Sequence, residues 1–181
     1  MCQNIADEKN YKEAEQYLEQ MCNVGADVWN VIDTNHMIVN AVLNAKYQEA
    51  QESGIGVTIK INDLSGWRMA YNDVTILLAN LLDNAIEAEE EFDGQKKMWI
   101  EIQEQKGNAG KVSIYIANAY YKKSQDELEQ LFEYGYSTKG EGRGIGLYDV
   151  KILVHKNKGD LIVQNGQRDG GDCFELWIAV S

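Results

Sequence analysis

The stretch Asn72–Glu91, NDVTILLANLLDNAIEAEEE, decides the fold of this chain. At about 100° per residue, leucines and an alanine cover one side of the helix that it predicts. The adjoining side carries four polar residues, Asn80, Asp83, Asn84 and Glu87. Ordinary amphipathic helices turn Lys, Arg and Glu to solvent, so asparagines one turn apart on a leucine-rich helix suggest oxygen ligands aimed into a pocket. Such oxygens suit a hard cation such as Mg²⁺; the alternative is a polar face that is only solvated.

Length and charge limit the function classes. The 181 residues, 44% of them hydrophobic, suffice for one well-cored domain with a short appendage. The net charge of −12 would repel a phosphate backbone, so we expect no nucleic-acid partner. An anionic ligand must then be held by backbone amides, by one or two placed cations or by a metal ion.

Apolar runs and cysteines indicate where the chain works. No run reaches the ~18 residues of a membrane span and no signal-peptide pattern opens the chain, so we expect a cytoplasmic fragment without membrane contact. The three cysteines, Cys2, Cys22 and Cys173, are odd in number and lack CxxC spacing. They indicate reduced thiols, not a zinc site or a disulfide framework.

Hydrophobic periodicity predicts the element order ααβαββααββ. The predicted helices are Tyr11–Cys22, Asn35–Gln51, the helix quoted above with an N-cap at Asn72 or Asp73, Ser124–Leu131 with a capping box, and Leu147–Lys156. The predicted strands are Ile55–Ile61, the hairpin strands Lys97–Gln105 and Lys111–Asn118, and the pair Asp160–Asn165 and Cys173–Val180 around a turn at Gly166–Gly171. The fold class is therefore α+β: a two-layer sandwich whose mixed, mostly antiparallel sheet carries its helices on one face.

A second motif supports the pocket. Five glycines fall within Tyr134–Gly146, YGYSTKGEGRGIG, immediately before a predicted helix. Such a segment lets backbone N–H groups approach an anion, with the positive end of the helix dipole behind them. Lys139 and Arg143 add charge, and Ser137 and Thr138 add hydroxyl groups. A Rossmann fingerprint needs a preceding strand, which is missing, and the Walker pattern is absent; the alternative is a flexible surface loop.

Together, NLLDNAIEA (80–88) and STKGEGRGIGL (137–147), separated by a β-hairpin, resemble the N and glycine boxes of the Bergerat-fold (GHKL) ATPases. This superfamily includes gyrase, MutL and the sensor histidine kinases, and the resemblance spans about Ile55–Ser181. The boxes are most similar to those of sensor kinases of the peptide quorum-sensing (accessory gene regulator) type. The resemblance implies that residues 1–53 are a remnant of the dimerisation region and connector, and that residues 54–181 form a catalytic ATP-binding domain.

The resemblance also implies a site for ATP and Mg²⁺. Asn84 would coordinate Mg²⁺ between the phosphates, with Asn80 and Glu87 as catalytic residues lining the same pocket. The adenine box of the superfamily usually reads DxGxG, whereas Asn118 stands here and would accept from the adenine amino group without a negative charge. The residues that would wrap or contact the triphosphate are Thr138, Lys139, Gly140, Gly142, Arg143, Gly144, Gly146 and Leu147.

One departure from the hydrolytic members favours a kinase. In those members a Glu four residues before the Mg²⁺ ligand activates water, and this chain has Asn80 there. Because an amide cannot act as a general base, the resemblance implies phosphoryl transfer to a protein side chain. His36 and His155 are the only histidines, and the residues after them do not match a family acceptor. We therefore expect the phosphoacceptor histidine on a dimerisation domain that this chain lacks.

The expected partners follow from the same resemblance. They are ATP, the dimerisation and phosphoacceptor domain of the parent kinase, and a response regulator downstream. The parent protein would be anchored in the cell membrane by an upstream sensor region. An alternative is a nucleotide-binding interaction module, either a degenerate kinase or an anti-sigma type regulator.

Overall fold

The computed structural model describes residues 32–105, 110–136 and 144–180. The helices are α1 (Met37–Glu52), α2 (Tyr71–Glu90), α3 (Gln125–Gln130) and α4 (Gly146–Lys156). The strands are β1 (Gly56–Ile61), β2 (Lys97–Glu104), β3 (Val112–Ala119), β4 (Asp160–Arg168) and β5 (Gly171–Val180). The predicted helix at Tyr11–Cys22 lies outside the described residues.

The strands form one sheet in the order β1-β2-β3-β5-β4. The β1–β2 pair is parallel and the other three pairs are antiparallel. The predicted α+β class, with a mixed, mostly antiparallel sheet and helices on one face, is confirmed. The antiparallel hairpin of β2 and β3 is confirmed too, with Ile100 opposite Ile116 and Ile102 opposite Ile114.

The larger of the two hydrophobic clusters among the described residues lies between the helices and the sheet. Helix α2 is its central element, because it packs against α1, α4 and strands β2 and β3. Its leucines at 77, 78, 81 and 82 are at most 2% exposed, and each such burial contributes roughly 1.5–3 kcal/mol. The leucine side of the helix therefore faces the core.

The start of α2 differs from the prediction. The helix begins at Tyr71, and its N-cap is Ala70, which makes no side-chain capping bond. The predicted N-cap at Asn72 or Asp73 is therefore wrong. Asp73 lies in the first turn, where its buried carboxylate accepts from Lys156 Nζ on α4 at 2.8 Å and 3.0 Å. Tertiary pairing between α2 and α4 thus uses the side chain that was expected to cap the helix.

The turn between β4 and β5 is tighter than predicted. Both strands continue past the expected turn at Gly166–Gly171, and only Asp169 and Gly170 connect them. Both residues have positive φ, 51° and 83°, which a type I′ hairpin turn requires and an Asp-Gly pair favours. Gly166 lies within β4, where a Cβ would be 2.3 Å from Glu175 Cδ. That glycine therefore allows the Glu175 side chain to approach the strand closely, and it is not part of the turn.

Capping was predicted correctly at α3. Ser124 Oγ accepts from Glu127 N, and the Glu127 carboxylate accepts from Ser124 N in return, which completes the capping box. Among the described residues, no helix is both long and apolar enough to cross a bilayer.

Candidate functional site

A cavity of about 270 Å³ opens between α2 and strands β3 and β5. Side chains from α2 form one wall, and the segment that follows β3 forms the other. Most of the lining is apolar, with a few polar groups among aliphatic and aromatic side chains, which is typical of a small-molecule site. The lining residues are Leu81, Asn84, Ala85, Ala88, Glu91, Phe92, Ile116, Asn118, Tyr120, Tyr121, Lys123, Leu131, Leu147, Phe174 and Leu176.

Asn84 on α2 lines this cavity. Its Nδ2 donates to the Asn80 carbonyl one helical turn earlier, at 2.6 Å. One of the two N–H groups of the amide is therefore occupied, and no described residue donates to Oδ1. A side-chain oxygen held in this way can accept a hydrogen bond or coordinate a hard cation.

The two motifs come together at the start of α4. A Cβ at Gly146 would lie 3.1 Å from Asn80 Oδ1 and 3.4 Å from Asn84 Nδ2. The glycine therefore lets the helix start against the two asparagines, and the next residue, Leu147, lines the cavity. The predicted proximity of the asparagine helix and the end of the glycine segment is thus present in the structure.

The two ends of the glycine segment also meet. Gly135 N donates to the Gly144 carbonyl at 3.1 Å, and the rings of Tyr134 and Tyr148 pack edge to face with centroids 5.2 Å apart. Gly144 has a φ of 94°, and a Cβ there would be 2.3 Å from the Tyr136 carbonyl oxygen. The predicted residues Thr138, Lys139, Gly140, Gly142 and Arg143 lie outside the described residues.

We expect Gly144→Ala to lower the melting temperature more than Gly135→Ala does. Both positions have positive φ, which costs of order 1–3 kcal/mol for a side-chain-bearing residue. Gly135 has no atom within 4 Å of an added Cβ, so its variant carries only that strain. Thermal unfolding of the two variants measures the difference, and equal melting temperatures would contradict the close contact at Gly144.

The other polar residues of the α2 face lie differently. Asp83 forms an ion pair with Lys46 Nζ of α1 at 2.5 Å. Burial raises the pKa of the Asp83 carboxyl, and the nearby charge of Glu87 adds to that shift. In the described part of the chain, the cavity lining does not include Asn80, Asp83 or Glu87.

Asn118 lies at the cavity where β3 ends. It is only 4% exposed, and its Nδ2 donates to the Ala119 carbonyl at 3.3 Å. No described residue donates to its Oδ1, so the oxygen remains available to a ligand. Asn84 and Asn118 therefore share one arrangement, in which the amino group donates to a backbone carbonyl and the oxygen has no donor among the described residues.

The segment after β3 brings residues to the site that the sequence analysis did not identify. The Tyr120 hydroxyl contacts Asn165 Oδ1, and Asn165 Nδ2 donates to the Lys123 carbonyl at 2.9 Å. Phe174 packs edge to face on Tyr120, with ring centroids 5.7 Å apart. The signal was the run Tyr120, Tyr121, Lys122, Lys123 directly after the expected adenine-binding residue, because aromatic rings and lysines suit a nucleotide.

Glu89 was also missed. It is fully buried and accepts from the backbone N–H groups of Lys97, at 3.0 Å, and of Ala119. Burial raises its pKa to about 7, although both backbone hydrogen bonds act in the opposite direction. At 100° per residue Glu89 falls on the side of α2 that carries Leu78 and Leu82. A glutamate on this apolar side is expected to be buried and to need hydrogen-bond partners.

The two histidines lie in different settings. His36 is the N-cap of α1, where its Nδ1 accepts from Val39 N at 3.3 Å and burial lowers its pKa. His155 is exposed on α4. Within the described ranges, no three His, Cys, Asp or Glu side chains are grouped to hold a metal ion.

The comparisons with known proteins agree with this geometry. Residues 69–176 match the family described as the GHKL domain. Sensor protein CitS of Halalkalibacterium halodurans is 33% identical over 150 residues, which are 80% of this chain and 27% of CitS. Sensor histidine kinase ZraS of Escherichia coli strain K12 is 31% identical over 151 residues, or 83% of this chain and 31% of ZraS. The chain thus spans about a quarter to a third of the length of these relatives.

Solved structures share the fold at lower identity. The catalytic domain of histidine kinase ThkA, in a nucleotide-free form, superposes with a TM-score of 0.61 at 19% identity, covering 81% of this chain and 92% of that domain. Full-length ShkA in complex with AMPPNP gives 0.58 at 20% identity, covering 82% of this chain and 30% of ShkA.

Proposed function

Because the chain belongs to the GHKL domain family, we propose that it is the ATP-binding catalytic domain of a sensor histidine kinase. It transfers the γ-phosphate of ATP to a histidine on a dimerisation domain. The observation that carries this proposal is the anchored amide of Asn84, which lines the cavity and lies beside Gly146 at the start of α4.

The residues present fit Mg²⁺. A hard cation of this size takes oxygen ligands, keeps several waters and is usually bound through one or two protein oxygens together with substrate phosphates. Asn84 Oδ1 is such an oxygen. Because phosphates and waters would supply the remaining ligands, the ion does not require a cluster of acidic side chains at the cavity. When bound, Mg²⁺ supplies charge neutralisation on the β- and γ-phosphates.

Asn118 is proposed to bind adenine. Its free Oδ1 accepts from the 6-amino group of the base, while the aliphatic side chains of Leu81, Ala85, Ile116 and Leu176 line the slot. Lys123, at the edge of the cavity, places a positive charge within the otherwise acidic chain. In this proposal, Thr138, Lys139 and Arg143 contact the triphosphate. The residues of the glycine segment and of the following helix start that wrap it are Gly140, Gly142, Gly144, Gly146 and Leu147.

Asn80 favours transfer over hydrolysis. It stands where hydrolytic members carry a Glu. Its amide cannot act as a general base that removes a proton from a water molecule. An imidazole acceptor needs no deprotonation by this domain, so positioning of ATP and stabilisation of charge supply most of the catalysis. Glu87, one helical turn after Asp83, is proposed as the second catalytic residue on this face.

The finer assignments are proposals as well. The DNAIEA and STKGEGRGIGL boxes favour a kinase of the peptide quorum-sensing type, with a response regulator as the downstream partner. We place the domain boundary after residue 53, with the connector before it. The fragment would work in the cytoplasm beneath a membrane-anchored sensor region.

We expect the chain alone to hydrolyse ATP barely above background, yet to phosphorylate a histidine on an added dimerisation domain of its parent protein. Phosphate release measures the first activity, and label transfer from γ-labelled ATP measures the second. An acceptor domain with its histidine changed to alanine is the control. Brisk release that depends on Glu87 would reverse the assignment, and ATP binding with neither activity would favour an interaction module.

A further inference from the structure

Glu89 joins the end of α2 to one end of the sheet. Its two carboxylate oxygens accept from two different backbone N–H groups, those of Lys97 at 3.0 Å and of Ala119. Lys97 is the first residue of β2 and Ala119 is the last residue of β3. Because Met98 pairs with Asn118 in the hairpin, the two N–H groups lie one position beyond the last strand pair.

A carboxylate suits this position for a physical reason. Burying a charged group is costly unless its oxygens are hydrogen-bonded. An apolar side chain would leave two buried N–H groups without an acceptor, and a glutamine amide offers only one acceptor atom. Only a side chain with two oxygens satisfies both donors at once.

The contact reaches the ligand side through Asn118. The N–H of Ala119 belongs to the peptide unit that follows Asn118, so Glu89 fixes the backbone from which the Asn118 side chain projects. The Ala119 carbonyl then accepts from Asn118 Nδ2 at 3.3 Å. Asn118 lines the cavity, and with its amino group donating to the backbone, its oxygen is the amide atom left for a ligand.

We propose that Glu89 is a positioning residue for base selection, which holds the Asn118 amide so that its oxygen meets the 6-position of a purine. A 6-amino base such as adenine donates to that oxygen and is accepted. A 6-oxo base such as hypoxanthine or guanine places a second acceptor there and is rejected. This inference rests on the proposed function, because it assumes that the cavity binds a purine nucleotide.

The amide makes an anchor necessary. An aspartate reads a 6-amino group in either rotamer, whereas a freely rotating asparagine amide would turn its amino group toward a 6-oxo base and lose the discrimination. Selectivity through Asn118 therefore requires that its orientation be fixed from outside the cavity, and Glu89 lies outside the cavity lining.

The first test compares ATP with inosine triphosphate, which differs at the 6-position of the base. For the wild-type chain we expect inosine triphosphate to bind about tenfold more weakly, since one hydrogen bond is replaced by two facing acceptors. Equal affinities of the wild type for the two nucleotides would overturn the proposal without any variant. If neither ATP nor inosine triphosphate bound, that result would instead contradict the proposed function.

The second test removes one acceptor. Glu89→Gln is expected to lower the ratio of the dissociation constant for inosine triphosphate to that for ATP by roughly threefold to tenfold. The reason is that the Ala119 peptide is less firmly held. Glu90→Gln is the matched control: it is the same substitution on the next, exposed residue, and it should leave the ratio unchanged. Circular dichroism establishes that both variants are folded.

A double-mutant cycle separates positioning from general damage. In the Asn118→Asp background there is no amide to orient, so Glu89→Gln should no longer change the ratio of dissociation constants. It can still weaken the binding of both nucleotides by the same factor. If Glu89→Gln changes the ratio as much in that background as in the wild type, the residue acts through the structure at large and the proposal fails. An unchanged ratio in folded Glu89→Gln would also overturn it.

Discussion

Asn84→Ala is expected to lower phosphoryl transfer to an added acceptor domain by about a hundredfold or more, with the fold intact. The variant removes the one amide oxygen on α2 that lies at the cavity with no donor among the described residues. Loss of an electrostatic contact of this kind typically costs roughly 3 kcal/mol of transition-state stabilisation. Transfer of label from γ-labelled ATP measures the effect, and circular dichroism checks the fold.

Asn72→Ala is the matched control for that experiment. Asn72 lies on the same helix but is exposed and remote from the cavity lining, so its variant should transfer phosphate at the wild-type rate. If Asn84→Ala transferred phosphate as fast as Asn72→Ala, Asn84 would not be the Mg²⁺ ligand.

Glu89→Gln is expected to change how stability depends on pH. Burial raises the pKa of Glu89 from 4.5 to about 7, so between these values the folded state holds a proton that the unfolded state has released. The wild type therefore loses stability as pH rises through this window, by roughly 3 kcal/mol in total. Glutamine has no such proton. The free energy of unfolding of the wild type minus that of the variant should therefore decrease as the pH rises from 4.5 to 8.

Urea unfolding of both proteins across this range measures the difference, and charges elsewhere in the chain cancel in the subtraction. Glu90→Gln serves again as the control, since its position is exposed. A difference between wild type and Glu89→Gln that is constant with pH would mean that Glu89 has the same pKa in the folded and unfolded states.

The regular elements could be predicted because their signals are local. The 3.6-residue period of α2, the alternation in β1 and the capping box at Ser124 each involve neighbours in sequence, and each is present in the structure. The approach of the glycine segment to the asparagine helix could be predicted only through the resemblance to a family. Periodicity alone contains no information about which helix faces which loop.

The errors and omissions come from contacts between distant residues. The N-cap of α2 was predicted at Asn72 or Asp73, whereas the Asp73 carboxylate accepts from Lys156, 83 positions away. Asp83 was placed on the pocket face, whereas Lys46 of α1 pairs with it. Glu89 was overlooked because a run of three glutamates suggests a solvated helix end, and only the structure reveals the strand ends that it bonds. In each case a charged side chain found its partner through the tertiary fold.

The most direct test of the Mg²⁺-dependent ATP site is calorimetric titration of ATP with and without Mg²⁺, for the wild type and for Asn84→Ala. We expect weak binding by the wild type, on the order of 10 to 1000 μM, because the freedom of motion lost on association offsets much of the contact energy. Mg²⁺ should strengthen that binding, and Asn84→Ala should lose the Mg²⁺-dependent gain. Absence of any binding at millimolar ATP, or an equal Mg²⁺-dependent gain in both proteins, would contradict the account.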